Sequence, residues 1–291
     1  MKTRPLGPQA PLATVIGYGG MHVSLDGRPP EVVSLRVIQA SLDAGVTLID
    51  TADVYCLDQT EVGHNERLIA KALRTWKGPR QNVVVATKGG LKRTEGRWDR
   101  DARPQQLREA CDRSLKALGV ERIALYQLHA LDPQVSLEES VGALAELQRA
   151  GKIRWVGLSN VSVEEIRRAE KLVPITTVQN RLNPFFREAV EQGVVKYCAE
   201  RGIGFLAYSP TGGGRLTKKL PDHPVLRAIA TRLGASPHAV ALAWVIAQSS
   251  TVIAIPSSRT VEHAVDGARA GDLELSTADV AAIEKAEFSR A

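Results

Sequence analysis

Thr47-Leu48-Ile49-Asp50 and Val83-Val84-Val85-Ala86-Thr87 are short apolar runs, and the stretch between them from Glu66 to Arg74 has helical period. Strands covered on both faces read as continuous apolar runs, so this order predicts a β-α-β unit. The unit recurs in both directions. Upstream, Val33, Val37, Ala40 and Ala44 share one face, Arg36, Gln39 and Asp43 lie opposite, and Gly45 follows as a C-terminal cap. Downstream, Pro104 stands at a first helical position, Leu107, Cys111, Ser114 and Leu118 form one stripe, and Gly119 ends that helix before a strand from Ile123 to His129. Two capping boxes, Ser136-x-x-Glu139 and Ser162-x-x-Glu165, each open a helix after a strand.

Further strands are expected at Ile153 to Ser159, Ile175 to Gln179, Gly204 to Tyr208 and Val252 to Ile255, with helices around Glu188 to Arg201 and Val261 to Ala270. With a first strand near Val15 to Tyr18 the count is eight, each strand followed by a helix. Eight such units in ~250 residues predict an α/β fold of the parallel (β/α)8 TIM-barrel type. A doubly wound sheet would carry a Gly-x-Gly-x-x-Gly turn after an early strand. Neither Gly17-Tyr18-Gly19-Gly20 nor Gly212-Gly213-Gly214 has that spacing. Extra helices at Pro237 to Gln248, before the last strand, and Ser276 to Glu287, at the C-terminus, read as decorations of one domain spanning residues 1–291.

The 291 residues are 44% hydrophobic, ample for a large core without disulfides or metals. Cys56, Cys111 and Cys198 are odd in number and widely spaced, which predicts reduced thiols and no metal site. The stretch Met1 to Gly20 is too broken by Pro and Gly for a secretory signal, and no segment approaches ~20 apolar residues, so a cytoplasmic protein without a membrane span is expected. The formal charge of +6 would suit a polyanion, but basic residues are interleaved with acids, as in Glu164, Glu165, Arg167, Arg168, Glu170 and Lys171. That is the pattern of solvated helix faces, and nucleic acid is not an expected partner.

Barrels keep their chemistry at the C-terminal ends of strands. Asp50, Lys88, His129, Ser159, Asn160, Gln179, Tyr208, Ser209 and Ser257 all fall there. Singly, Asp50 reads as a helix cap, Lys88 as a surface lysine and His129 as a buried imidazole. As a set at one rim they converge on a site.

The runs Asp50-Thr51-Ala52-Asp53-Val54-Tyr55, Gly63-His64-Asn65-Glu66, Thr87-Lys88, Gln127-Leu128-His129, Gly157-Leu158-Ser159-Asn160, Gln179-Asn180, Tyr208-Ser209-Pro210 and Ile255-Pro256-Ser257-Ser258 resemble, in order and spacing, those of the aldo-keto reductase superfamily. The resemblance implies NADPH-dependent, reversible reduction of a small-molecule aldehyde or ketone, with Asp50, Tyr55, Lys88 and His129 as the catalytic group. Hydride delivery to a carbonyl carbon builds negative charge on its oxygen, so a proton donor and positive potential must stand beside it. Tyr55 is the expected donor, Lys88 is expected to lower its pKa, Asp50 to hold the lysine charged, and His129 to orient the carbonyl.

By the same resemblance the cofactor would meet Ser159, Asn160 and Gln179 at its carboxamide and Tyr208 at its ring. Ser209, Pro210, Gly212 and Arg215, or Lys218, would meet its pyrophosphate. Where many members carry Lys or Arg after Ile-Pro, and a Glu-Asn pair further on, this chain has Ser257 and Asp266-Gly267. Ser258, Arg259 and His263 are the expected replacements at the 2′-phosphate. Met21, His22, Trp98 and Phe185 are expected to overhang the substrate. Two other readings stay open: a Schiff-base aldolase using Lys88, and a non-catalytic NADPH-binding redox sensor.

Overall fold

The computed structural model describes residues 1–291. Eight strands run parallel in chain order: β1 (Tyr18–Gly19), β2 (Leu48–Asp50), β3 (Val84–Gly89), β4 (Ile123–Leu128), β5 (Ile153–Ser159), β6 (Ile175–Arg181), β7 (Gly204–Tyr208) and β8 (Val252–Ala254). Three backbone hydrogen bonds join the first strand to the last: Gly17 N to Ala254 O at 2.8 Å, Ala254 N to Val15 O at 3.0 Å and Gly19 N to Pro256 O at 2.8 Å. The sheet is therefore a closed (β/α)8 barrel, which leaves no edge strand exposed.

The helices between β1 and β7 are α1 (Glu31–Asp43), α2 (His64–Thr75), α3 (Pro104–Leu118), α4 (Leu137–Arg149), α5 (Val163–Ala169), α6 (Glu188–Glu191) and α7 (Val194–Arg201). Both anticipated capping boxes form, at Ser136 and Ser162. The stripe Leu107, Cys111, Ser114 and Leu118 is buried. The helix expected from Glu188 to Arg201 is two, because Gly193 turns the backbone left-handed at φ 78°. Four helices complete the shell: α8 (Pro224–Leu233), α9 (Pro237–Ala247), α10 (Val261–Arg269) and α11 (Thr277–Lys285). Of these α8 was not anticipated.

A hairpin of Thr3–Pro5 and Leu12–Thr14 was also unforeseen. It stoppers the N-terminal mouth of the barrel, where Leu6 packs with Leu48, Val84, Leu125, Leu206 and Ile253. The stopper sits tightly: a Cβ on Gly204 would lie 2.0 Å from Leu6 O. At the opposite end a second hairpin, Leu91–Thr94 and Arg97–Arg100, turns through Glu95 and Gly96, both at positive φ. No single helix is long and apolar enough to cross a membrane.

Candidate active site

Side chains two apart on a strand share a face. Leu48, Ala86 and Leu125 fill the apolar interior, and two residues further along, Asp50, Lys88 and Gln127 enter the same space nearer the C-terminal rim. Lys88 is fully buried. Its three N–H bonds are all used: to Asp50 Oδ2 at 2.6 Å, Thr51 O at 2.9 Å and the Tyr55 hydroxyl at 3.1 Å. Burial alone would lower the lysine's pKa, but Asp50 and Tyr55 outweigh it, and the net direction is upward. The ammonium stays charged.

Tyr55 departs from expectation. Burial raises its pKa more than the Lys88 charge lowers it, with Asp50 adding to the rise, so the phenol is held above its ordinary value rather than below. A group in this state is a neutral proton donor across the physiological range. His129, just past β4, is pushed well below the usual imidazole range by burial and then by Lys88. It is therefore neutral, and its buried Nδ1 has no hydrogen-bond partner. The Tyr55 and His129 rings meet edge to face at 5.8 Å, and Trp98 on the second hairpin meets them at 6.0 and 6.4 Å. Arg93, opposite Trp98 in the hairpin, lies 4.4 Å beneath the indole.

These rings close one end of a cleft of about 1020 Å³ that continues past Ser159, Asn160 and Tyr208 to Leu242, His263 and Asp266. Ser209, Pro210, Ser257, Ser258, Arg259, Met21 and His22 also line it. Ser159 Oγ donates to Gln179 O at 2.8 Å, Asn160 Nδ2 to His129 O at 3.1 Å, and the Tyr208 hydroxyl to Asn160 Oδ1 at 2.8 Å. The middle of the cleft is thus a linked polar wall.

Three expected lining residues are elsewhere. Gly212, at φ 97°, packs its backbone against Leu216 and Phe185, and Gly213 and Gly214 face the cleft instead. Arg215 turns outward and donates to Arg290 O at 2.6 Å, whereas Lys218 lines the cleft. Phe185 is buried against Phe288, with ring centroids 5.4 Å apart, and anchors the loop rather than a substrate. Arg259 borders the cleft but is tethered, donating to His22 O at 3.2 Å and Asp26 O at 2.8 Å. Gln179 spends its amide on Asp50 Oδ1 at 2.7 Å.

Some participants had no assigned role in the sequence. Thr51 takes part through its carbonyl, which no side-chain pattern announces. Gln127 lies two residues before His129 and faces inward with it, so strand alternation was a signal that could have found it. Asp266 lines the cleft, its Oδ2 accepting from Ser236 Oγ at 2.6 Å.

A closed parallel barrel with a buried lysine, carboxylate and phenol below a long cleft at its C-terminal rim has the architecture of a barrel enzyme. A sequence profile of the aldo/keto reductase family matches residues 15–287. An uncharacterised oxidoreductase of Schizosaccharomyces pombe is 34% identical over 267 residues, covering 90% of this chain and 83% of that protein. Among solved structures, a glycerol dehydrogenase from Gluconobacter oxydans superposes with a TM-score of 0.83 at 28% identity, covering 97% of this chain and 93% of that one. An aldo/keto reductase from Klebsiella pneumoniae in complex with NADP and acetate gives a TM-score of 0.81 at 27% identity, covering 98% and 95%. The chain belongs to the aldo/keto reductase family and is an oxidoreductase.

Proposed function

We propose that this protein reduces an aldehyde or ketone to an alcohol at the expense of NADPH, with Tyr55, Lys88, Asp50 and His129 as the catalytic group. The observation that carries the reading is the fully buried Lys88 ammonium bonded at once to Asp50 and to the Tyr55 hydroxyl at the floor of the cleft. The cleft fits a dinucleotide in size and chemistry. Amide and hydroxyl side chains line its middle, Lys218 stands beside it, and the Arg259 charge and the Thr260-capped N-terminus of α10 lie at the far end. NADPH, when bound, supplies the hydride.

The protein's own groups manage the oxygen. Tyr55 holds a proton for the developing alkoxide, and Lys88 supplies positive potential 3.1 Å behind that hydroxyl. Neutral His129 offers a ring N–H to the same oxygen and fixes its angle. Met21, Leu91 and Trp98 make the entrance apolar and aromatic, which favours a flat or apolar carbonyl. Three free, buried thiols fit a reducing compartment such as the cytoplasm. The Schiff-base reading is disfavoured because an ammonium held charged by three acceptors is no nucleophile.

The reading is tested by NADPH consumption against a panel of aldehydes and ketones, and no consumption with any of them would reject it. NADPH should bind more tightly than NADH, and Arg259→Ala should narrow that gap. Equal affinities in titrations of intrinsic fluorescence would remove Arg259 from the 2′-phosphate. His129→Ala should slow single-turnover reduction by at least about tenfold while leaving NADPH affinity intact. Because His129 is neutral well below its ordinary pKa, reduction should show no acidic limb near about pH 6.5, and finding one there would contradict its neutral state.

A further inference from the structure

Asp50, Gln127, Thr177 and Gln179 are, like Lys88, buried in the barrel interior, with Lys88, Gln127, Gly157 and Thr177 side by side in register and Gln179 two residues further along the same strand as Thr177. Asp50 divides its oxygens: Oδ2 accepts from Lys88, and Oδ1 accepts from Gln179 Nε2 at 2.7 Å and Gln127 Nε2 at 3.4 Å. Gln127 is held at its other end too, where Oε1 accepts from Thr177 Oγ1 at 3.3 Å and Gln179 Nε2 at 3.4 Å. Between β4 and β6 runs β5, whose residue at this level is Gly157. A Cβ there would fall 2.8 Å from Gln127 Cγ and 2.3 Å from Thr177 Oγ1. The missing side chain lets an amide from β4 reach across to β6. Such layers are ordinarily filled by branched apolar side chains, and an amide and a hydroxyl cost free energy there unless paired. Here they are paired to one another and, through the amides, to Asp50.

We propose that Gln127 is a positioning residue for proton transfer: held across Gly157 by Thr177, it turns its amide onto Asp50 Oδ1 and so keeps Asp50 shared between Lys88 and two amide donors. The proposal rests on the reductase reading above. Donors on Oδ1 draw negative charge away from Oδ2, which leaves the Lys88 charge less neutralised and more available to Tyr55. Tyr55 faces Asp50 from β2, Lys88 from β3, His129 from the end of β4 and Tyr208 from the end of β7. Of these four, Asp50 is the group to which Gln127 donates, from Nε2 to Oδ1 at 3.4 Å.

Gln127→Met keeps length and volume while removing both polar ends, and Thr177→Val removes only the anchoring hydroxyl. Gln127→Met should move the ionisation of Tyr55 upward by about 0.5 pH unit or more, with Thr177→Val moving it the same way by less. This is read as the tyrosinate absorbance difference between each variant and the same variant carrying Tyr55→Phe. It should also lower kcat for carbonyl reduction by about threefold to tenfold, with KM and NADPH affinity near the parent values. An unmoved tyrosinate titration in both variants, or a loss confined to KM or to thermal stability, would show that Gln127 only fills space. If Gln127→Met does not fold, the Thr177→Val titration decides. A parent protein that reduces no carbonyl would reject the reductase reading, while the titration would still test Gln127.

Discussion

Replacing Tyr55 by Phe is expected to lower kcat/KM for carbonyl reduction by about 10²- to 10⁴-fold, the range of a positioned general acid. The ring itself should stay. Its edge contacts to Trp98 at 6.0 Å and His129 at 5.8 Å involve carbon faces that Phe retains. Lys88 loses one of three acceptors and keeps Asp50 and the Thr51 carbonyl. The melting temperature should therefore change little and NADPH affinity should stay within about twofold, because no cofactor contact is assigned to the hydroxyl. Single-turnover reduction separates the two effects: the hydride step should slow while binding persists. Reduction at the parent rate would remove Tyr55 as the proton donor. In the reverse direction the phenol must first lose its proton, and burial raises its pKa. Alcohol oxidation should accordingly rise with pH through and beyond about pH 9, and a plateau near neutrality would contradict the raised value.

Lys88→Met should cost both activity and stability. Asp50 would remain buried without its cation, and breaking a buried pair in this way typically costs about 3–5 kcal/mol. Removing the charge also takes away the largest influence that lowers the Tyr55 pKa, leaving a phenol that is a weaker acid and whose phenolate is more sparsely populated. A fall of about 10²-fold or more in kcat/KM is expected. A double-mutant cycle with Tyr55→Phe distinguishes the routes. If the two residues act as one unit, the double variant loses far less than the product of the single losses. Fully multiplicative losses would mean that the lysine acts on the oxygen by a separate path, and a melting temperature equal to the parent's would contradict a buried ion pair.

The amino-acid sequence by itself determined the barrel and the rim at which the candidate site residues gather. Eight apolar runs alternate with helical stripes, and Pro104, Gly119, Ser136 and Ser162 mark helix ends through local hydrogen bonding and backbone conformation that need no distant partner. Asp50, Lys88 and His129 were legible because a strand's end follows from where its apolar run stops, and Trp98 because the segment after a strand end overhangs the rim. Tertiary structure alone decided the rest. The directions of Arg215 and Phe185 depend on Arg290 and Phe288, about a hundred residues or fewer away in the chain and unrelated in pattern. The stopper hairpin is too short to show a period. The sign of the Tyr55 shift is a balance between desolvation and three nearby groups, and desolvation is a property of everything packed around the ring. Gln127 was visible as a letter, but its role required Gly157 on one neighbouring strand and Thr177 on the next. Side-chain periodicity records which face a residue takes, whereas only closure of the barrel determines what stands across from it.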